Sequence, residues 1–189
     1  MLSRRSFIAG SAAGGLCLWR SGASAEAVLT EDGFYREPWF LESFLELGDD
    51  LAGASEKKKR LAIMWELRGC PYCKETHLVN FAKPEITNFI KDHFEILQLN
   101  IIGSREVTDF DGAKLSEKAL AQKYGVRYTP TFQFFPDSIS GLAQKPPRER
   151  EVARAQGYLE PQHFLAMFRY VSERAYEKGS LRDYLKANS

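Results

Sequence analysis

Two cysteines three positions apart, Cys70 and Cys73, stand where an apolar run ends and a helix-forming run begins, in "LAIMWELRGCPYCKETHLVNF" from Leu61 to Phe81. Leu61 to Leu67 barely alternates between apolar and polar residues, as expected for a strand buried on both faces. Pro71, directly after the first cysteine, suits the first position of a helix, where its missing N–H costs nothing and its φ is preset. The stretch therefore demands a sheet whose strand runs straight into a helix, with the cysteines at the junction. Such a pair can exchange electrons, hold a metal or close a loop. A loop of two residues restricts the unfolded chain very little, so a purely structural crosslink would contribute little stability.

The first 25 residues bear on which chemistry applies. Arg4-Arg5 precede Phe7 and a mild apolar segment, "FIAGSAAGGLCLW", followed by Ala23-Ser24-Ala25. Paired arginines, a short apolar stretch and a small-residue cleavage site predict a twin-arginine export signal over residues 1–25, with residues 26–189 as one domain in the periplasm. The apolar segment is shorter than the roughly 20 residues a spanning helix needs. Cys17 leaves with the signal, so Cys70 and Cys73 remain alone, too few for a disulfide framework. Without Arg4, Arg5 and Arg20 the 26 basic side chains no longer outnumber the 25 acidic ones. That balance points away from nucleic acid and from an anionic membrane surface.

The remaining pattern alternates helices and strands. Trp39, Phe40, Phe44, Leu47 and Leu51 recur at helical spacing and predict a helix over 37–52 that starts near Pro38. After the cysteines, Leu78, Phe81, Ile86, Phe89 and Ile90 follow a helical period broken by Pro84, which predicts one bent helix or two short ones. Phe94–Ile101 reads as a second strand and Leu115–Val126 as a short helix ending at Gly125. Thr131–Phe135 reads as a third strand, and Val152–Leu159 as a fourth with a bulge at Gly157. Helices over 161–176 and 181–186 close the chain, and 103–114 and 136–150 read as loop insertions. The expected class is α/β, a mixed sheet with helices on both faces.

A reactive cysteine must spend time as thiolate, and a sulfur at a helix N-terminus is helped to do so by free backbone N–H groups. Cys70 fits that position, and Cys73, one turn on, fits the partner that attacks a mixed disulfide. Far from them, Tyr128-Thr129-Pro130-Thr131 stands just before a strand, where a proline is tolerated because it need not donate to the ladder.

Strand, Cys70-Pro71-Tyr72-Cys73, helix and the later Thr129-Pro130 together resemble the thioredoxin superfamily. Within it, "MWELRGCPYCKETHLVNF", "GSREVTDFDG" and "YGVRYTPTFQFF" resemble the exported SoxW-type thioredoxins of bacterial sulfur-oxidation (Sox) gene clusters. The resemblance implies a thioredoxin fold and a thiol:disulfide oxidoreductase acting as a reductase of protein disulfides, those of sulfur-oxidation proteins included. Cys70 would attack, Cys73 resolve, and Thr129 with a cis Pro130 orient the substrate. No cofactor beyond the reversible Cys70–Cys73 disulfide is implied. Electrons would come from a membrane thiol transporter of the DsbD or CcdA kind, and the protein would act as a monomer.

The Pro71-Tyr72 pair between the cysteines also occurs in glutaredoxins and disulfide isomerases, so the direction of electron flow stays open. An oxidase or isomerase, or a redox-inert binding module, remains the alternative. A metal site of Cys70, Cys73 and His77 would lack a fourth ligand, and His77 reads as a surface helix residue. Thioredoxins carry a buried Asp six residues before the first cysteine, where this chain has Met64. Glu66 and Glu75 are the candidates to replace it, although each could equally face solvent. Tyr72, Tyr128 and Trp65 are expected around the cysteines as an apolar collar, with strand core as the alternative place for Trp65.

Overall fold

Every residue of the strand that leads to the cysteines is buried, and the sheet is laid out around it. The computed structural model describes residues 27–187; the export signal expected over 1–25 lies outside them. The strands are β1 (Val28–Leu29), β2 (Tyr35–Arg36), β3 (Arg60–Glu66), β4 (Phe94–Asn100), β5 (Glu106–Thr108), β6 (Lys114–Ser116), β7 (Thr131–Phe134) and β8 (Ala153–Gln156). The helices are α1 (Leu47–Glu56), α2 (Pro71–Glu75), α3 (Pro84–His93), α4 (Glu117–Lys123), α5 (Pro161–Ser172) and α6 (Leu181–Ala187). The central sheet has the order β4-β3-β7-β8. β3 and β4 are parallel, while β7 runs antiparallel to β3 and β8 antiparallel to β7. This is the expected mixed α/β sheet.

Alternation along β3 divides the interior in two, because successive side chains point to opposite faces. Leu61, Ile63 and Trp65 join Leu47 and Leu51 of α1 and Leu120 and Tyr124 in one cluster. Ala62 and Met64 join Phe81, Ile86 and Ile90, and Phe164 and Phe168 of α5, in the other. Glu66 continues the second series, so its side chain leaves the strand on the face that α2 covers.

Several boundaries differ from expectation. The first helix begins at Leu47, ten residues later than predicted. Leu41 instead donates its N–H to Ile96 O at 2.9 Å, and Leu45 adopts a left-handed φ of 66°. Phe40 enters one core cluster while Leu47 and Leu51 enter the other, so the apparent stripe serves two opposite faces. Burying a phenylalanine side chain contributes roughly 1.5–3 kcal/mol, enough to outweigh extra turns of a marginal helix. Phe44, read as part of the stripe, is fully exposed.

Pro84 starts α3 at its first turn, and the chain before it runs from α2 into a π-helical turn, Thr76–Asn80, giving two helices rather than one bent one. Residues 103–114 are not a plain loop, since they contain β5 and lead into its partner β6. The fourth strand ends at Gln156, and Gly157, with φ 83°, follows it instead of forming a bulge. The helix after Pro161 stops at Ser172, and a short 3-10 turn over Ala175–Glu177 completes the stretch.

The insertion over 136–150 is fastened by a buried guanidinium. Arg150, 3% exposed, donates to Asp109 Oδ2 and Asp111 Oδ2, each at 2.8 Å, and to Lys145 O at 2.9 Å. Tyr124 donates its hydroxyl to the other Asp109 oxygen at 2.8 Å. Lys123 Nζ also reaches both aspartates, each at 2.6 Å, so removing Arg150 leaves the acids partly paired but takes away its charged hydrogen bonds and leaves Lys145 O without its donor, at a cost of about 1–3 kcal/mol. Urea denaturation of Arg150→Ala should show a loss of that size; a loss below about 1 kcal/mol, the range of exposed pairs, would contradict the assignment.

Candidate active site

Gly69, at φ 77°, turns the chain from β3 into α2, a conformation that side-chain-bearing residues rarely adopt. Cys70 caps α2, and its sulfur accepts the Cys73 N–H at 3.2 Å. Pro71 occupies the first helical turn. The two cysteines are joined as a disulfide with their Cα atoms 5.3 Å apart. Their surroundings differ: Cys70 is half-buried, whereas Cys73 is 4% exposed.

The second expected feature meets the first. The Thr129–Pro130 peptide is cis, and Thr129 O lies 3.6 Å from Cys70 Sγ. Gly157 N–H donates to Pro130 O at 2.8 Å, and Thr131 Oγ1 to Tyr128 O at 2.7 Å. The glycine after β8 thus secures the loop that faces the cysteines. Tyr72 and Tyr128 are both more than half exposed, and Tyr72 stacks on Tyr158 at 6.2 Å. Trp65 does not join them. It is fully buried on the opposite face of β3 and donates its indole N–H to Gln133 Oε1.

Behind the disulfide lies a polar cluster that the sequence reading missed. His77, expected at the surface, is 1% exposed and sits between two buried carboxyl groups. Its Nδ1 is 2.9 Å from Glu37 Oε1 and its Nε2 is 3.1 Å from Glu66 Oε1. Gln98 donates its amide to Glu66 Oε2 and, at 2.6 Å, to Tyr35 O. Burial alone would push the imidazole pKa down, but the hydrogen bonds to Glu37 and Glu66 more than offset it and hold the pKa above its ordinary value. Both ring nitrogens are thereby engaged away from the cysteines, which removes His77 from the metal set considered with Cys70 and Cys73.

Glu66 and Glu75 part company. Glu66 is 1% exposed and lines a cavity of about 230 Å³ together with Cys70, Cys73, Tyr35 and Lys74. Glu75 is exposed on α2 and is no substitute for a buried acid. Met64 fills the place expected for an Asp with a fully buried thioether. Glu66, two residues further on, keeps the same face of the strand and stands nearer the cysteines.

These features agree with what the chain resembles. Residues 47–172 match the family model of a thioredoxin-like domain. The chain belongs to the thioredoxin-like family. Among solved structures it is similar to a thioredoxin-fold protein from Helicobacter pylori (21% identity, 73% of this chain and 96% of that one, TM-score 0.54). It is also similar to a thioredoxin from Thermus thermophilus (22% identity, 70% and 88%, TM-score 0.51). A weaker likeness is to the oxidised C-terminal domain of DsbD from Neisseria meningitidis (15% identity, 71% and 93%, TM-score 0.43). Comparison with curated protein sequences gave no match.

A thioredoxin-like domain with a close cysteine pair at this junction is a thiol:disulfide oxidoreductase. Among the described residues no group of three His, Cys, Asp or Glu side chains is arranged for a metal ion, and no helix is long and apolar enough to cross a membrane.

The histidine gives this thioredoxin-like domain a pH-dependent stability. Its pKa is raised on folding above 6.5, so the stabilisation is fully present below pH 6.5 and is lost as pH rises through the folded value. The difference in unfolding free energy between wild type and His77→Gln, measured in urea at stepped pH, should therefore shrink above neutrality. A difference that grew with pH would contradict the placement.

Proposed function

We propose that this protein reduces disulfides in exported proteins of the bacterial periplasm. The observation that carries the reading is the asymmetry of the pair: Cys70 is reachable at a helix N-terminus beside Thr129 O, while Cys73 is buried one turn behind it. In the reduced enzyme the Cys70 thiolate attacks the substrate disulfide and expels one substrate thiolate, leaving Cys70 in a mixed disulfide. Cys73 passes its proton towards Glu66 and attacks Cys70 Sγ, which closes the enzyme disulfide and releases the second substrate thiolate. Thr129 O and the cis Pro130 loop present backbone beside the attacking sulfur for an extended substrate chain. Tyr72 and Tyr128 offer it an exposed aromatic rim.

The direction follows from charge. Glu37, His77 and Glu66 hold two acids against one base behind the sulfurs, an arrangement that disfavours an added thiolate there. A strong oxidant needs its reduced form stabilised; Cys70 Sγ has one backbone N–H for that, from Cys73 at 3.2 Å, and the acids behind the pair oppose it. The resemblance to SoxW-type thioredoxins supports sulfur-oxidation proteins as substrates. The same resemblance makes a membrane thiol transporter of the DsbD or CcdA kind the electron donor, and the protein works as a monomer with no bound cofactor.

Trapping separates the two cysteines. Incubated with insulin, Cys73→Ser should accumulate a mixed disulfide through Cys70, and Cys70→Ser should form none and lose reduction altogether. Adduct formation through Cys73, or insulin reduction by Cys70→Ser, would overturn the assignment.

A further inference from the structure

The buried imidazole offers more than a structural contact. Each ring nitrogen of His77 faces a carboxyl oxygen, Glu37 at 2.9 Å and Glu66 at 3.1 Å, and each contact needs a hydrogen between the two atoms. A neutral imidazole supplies one. The other must sit on the ring, making an imidazolium, or on one of the two carboxyl groups. The trio therefore holds a second proton in every state that keeps both contacts. That proton has three places to reside, and one of them is Glu66.

Glu66 is fixed for the purpose. Its Oε1 is met by His77 and its Oε2 by Gln98, whose amide is tied in turn to Tyr35 O. The cavity it shares with Cys73 has room for several water molecules. In general a carboxylate buried without a counter-charge takes up its own proton and can accept none. With the second proton on the ring, the imidazolium between the two acids removes that obstacle. The groups facing His77 are Glu37 and Tyr35 from the N-terminal segment, Glu66 from β3 and Phe40 and Phe81 from the core. On α2, just before the turn that carries His77, the Lys74 ammonium lies 6.0 Å from the Tyr35 ring.

We propose that His77, clamped by Glu37, is a positioning residue that keeps Glu66 ionised and aimed at the cavity, so that Glu66 takes the Cys73 proton when the mixed disulfide is resolved. The inference rests on the proton-acceptor role given to Glu66 above. In the step, Cys73 S–H gives its proton through cavity water to the Glu66 carboxylate, and the sulfur keeps the electron pair. The new Cys73–Cys70 bond forms as the Cys70–substrate bond breaks. The leaving substrate thiolate takes a proton from water, and Glu66 later returns its own, so one thiol, that of Cys73, is consumed and one, on the substrate, is produced.

The test loads Cys70 with a chromogenic aryl disulfide and follows release of the second aryl thiol by stopped flow from pH 5 to 9. This isolates resolution whatever protein the enzyme serves. Wild type that resolves this adduct but cannot reduce insulin defeats the substrate assignment and leaves this inference standing. A positioned proton acceptor contributes roughly 10²-fold or more to such a step. Glu66→Gln should lose about that factor, and His77→Gln about tenfold or more with a flattened pH profile. Glu37→Gln, which takes one acid from the imidazole, should move the profile's midpoint to lower pH. Unchanged rates and profiles in His77→Gln and Glu37→Gln, with only their melting temperatures lowered, would reduce the trio to a structural role and overturn the proposal. Should either variant fail to fold, ¹⁵N titration of His77 in wild type decides. Its midpoint should differ between oxidised and reduced protein, and identical midpoints overturn the proposal.

Discussion

The site depends on how β3 ends. Its seven residues are buried throughout, and the last of them, Glu66, carries a carboxyl group into the interior on the face covered by α2. A buried carboxyl group is tolerable only with partners, and the partners come from three places: His77 after α2, Gln98 on β4 and, through His77, Glu37 before α1. These contacts bind the helix that bears the cysteines to the strand before it and to the N-terminal segment. The disulfide therefore sits above a hydrogen-bonded floor rather than an apolar one.

The N-terminal segment belongs to this floor. Glu37 reaches His77, Tyr35 and Phe40 pack on the same ring, and Phe40 also fills the core beside Phe81. The family match begins only at residue 47, so three of the groups that surround the imidazole, Tyr35, Glu37 and Phe40, lie before it. The thioredoxin-like domain supplies the pair, the helix and the cis-proline loop. The segment ahead of it supplies one end of the acid–base cluster beneath them.

Much of the fold could be read from the chain. The apolar run before Cys70, Pro71 at the helix start and Thr129-Pro130 before a strand are local signals, and each element stands where its signal lies. The first helix misled because Phe40, Leu47 and Leu51 fall on one helical stripe in sequence but serve opposite faces of the sheet. Period alone cannot tell which face a side chain will meet. Of the two places open to Trp65, collar or strand core, the alternation along β3 selects the core.

The buried cluster was the least legible part. Residue type argues against burying His77, Glu37 and Glu66, and their partnership spans forty positions of chain. One clue was present: Glu66 lies two residues after Met64, and a period of two preserves the face of a strand. An acid sought at Met64 could thus have been followed to Glu66 by strand geometry, whereas the histidine and Glu37 needed the tertiary fold.

On the proposed function, the two acids behind the pair outweigh the one backbone N–H at Cys70 Sγ, so the reduced form gains no special stability and the pair is a reductant. The reduction potential of Cys70–Cys73 measured against glutathione tests it most directly. The account predicts a value near that of thioredoxin, about −270 mV, and a value near that of a strong periplasmic oxidant, about −120 mV, would contradict it.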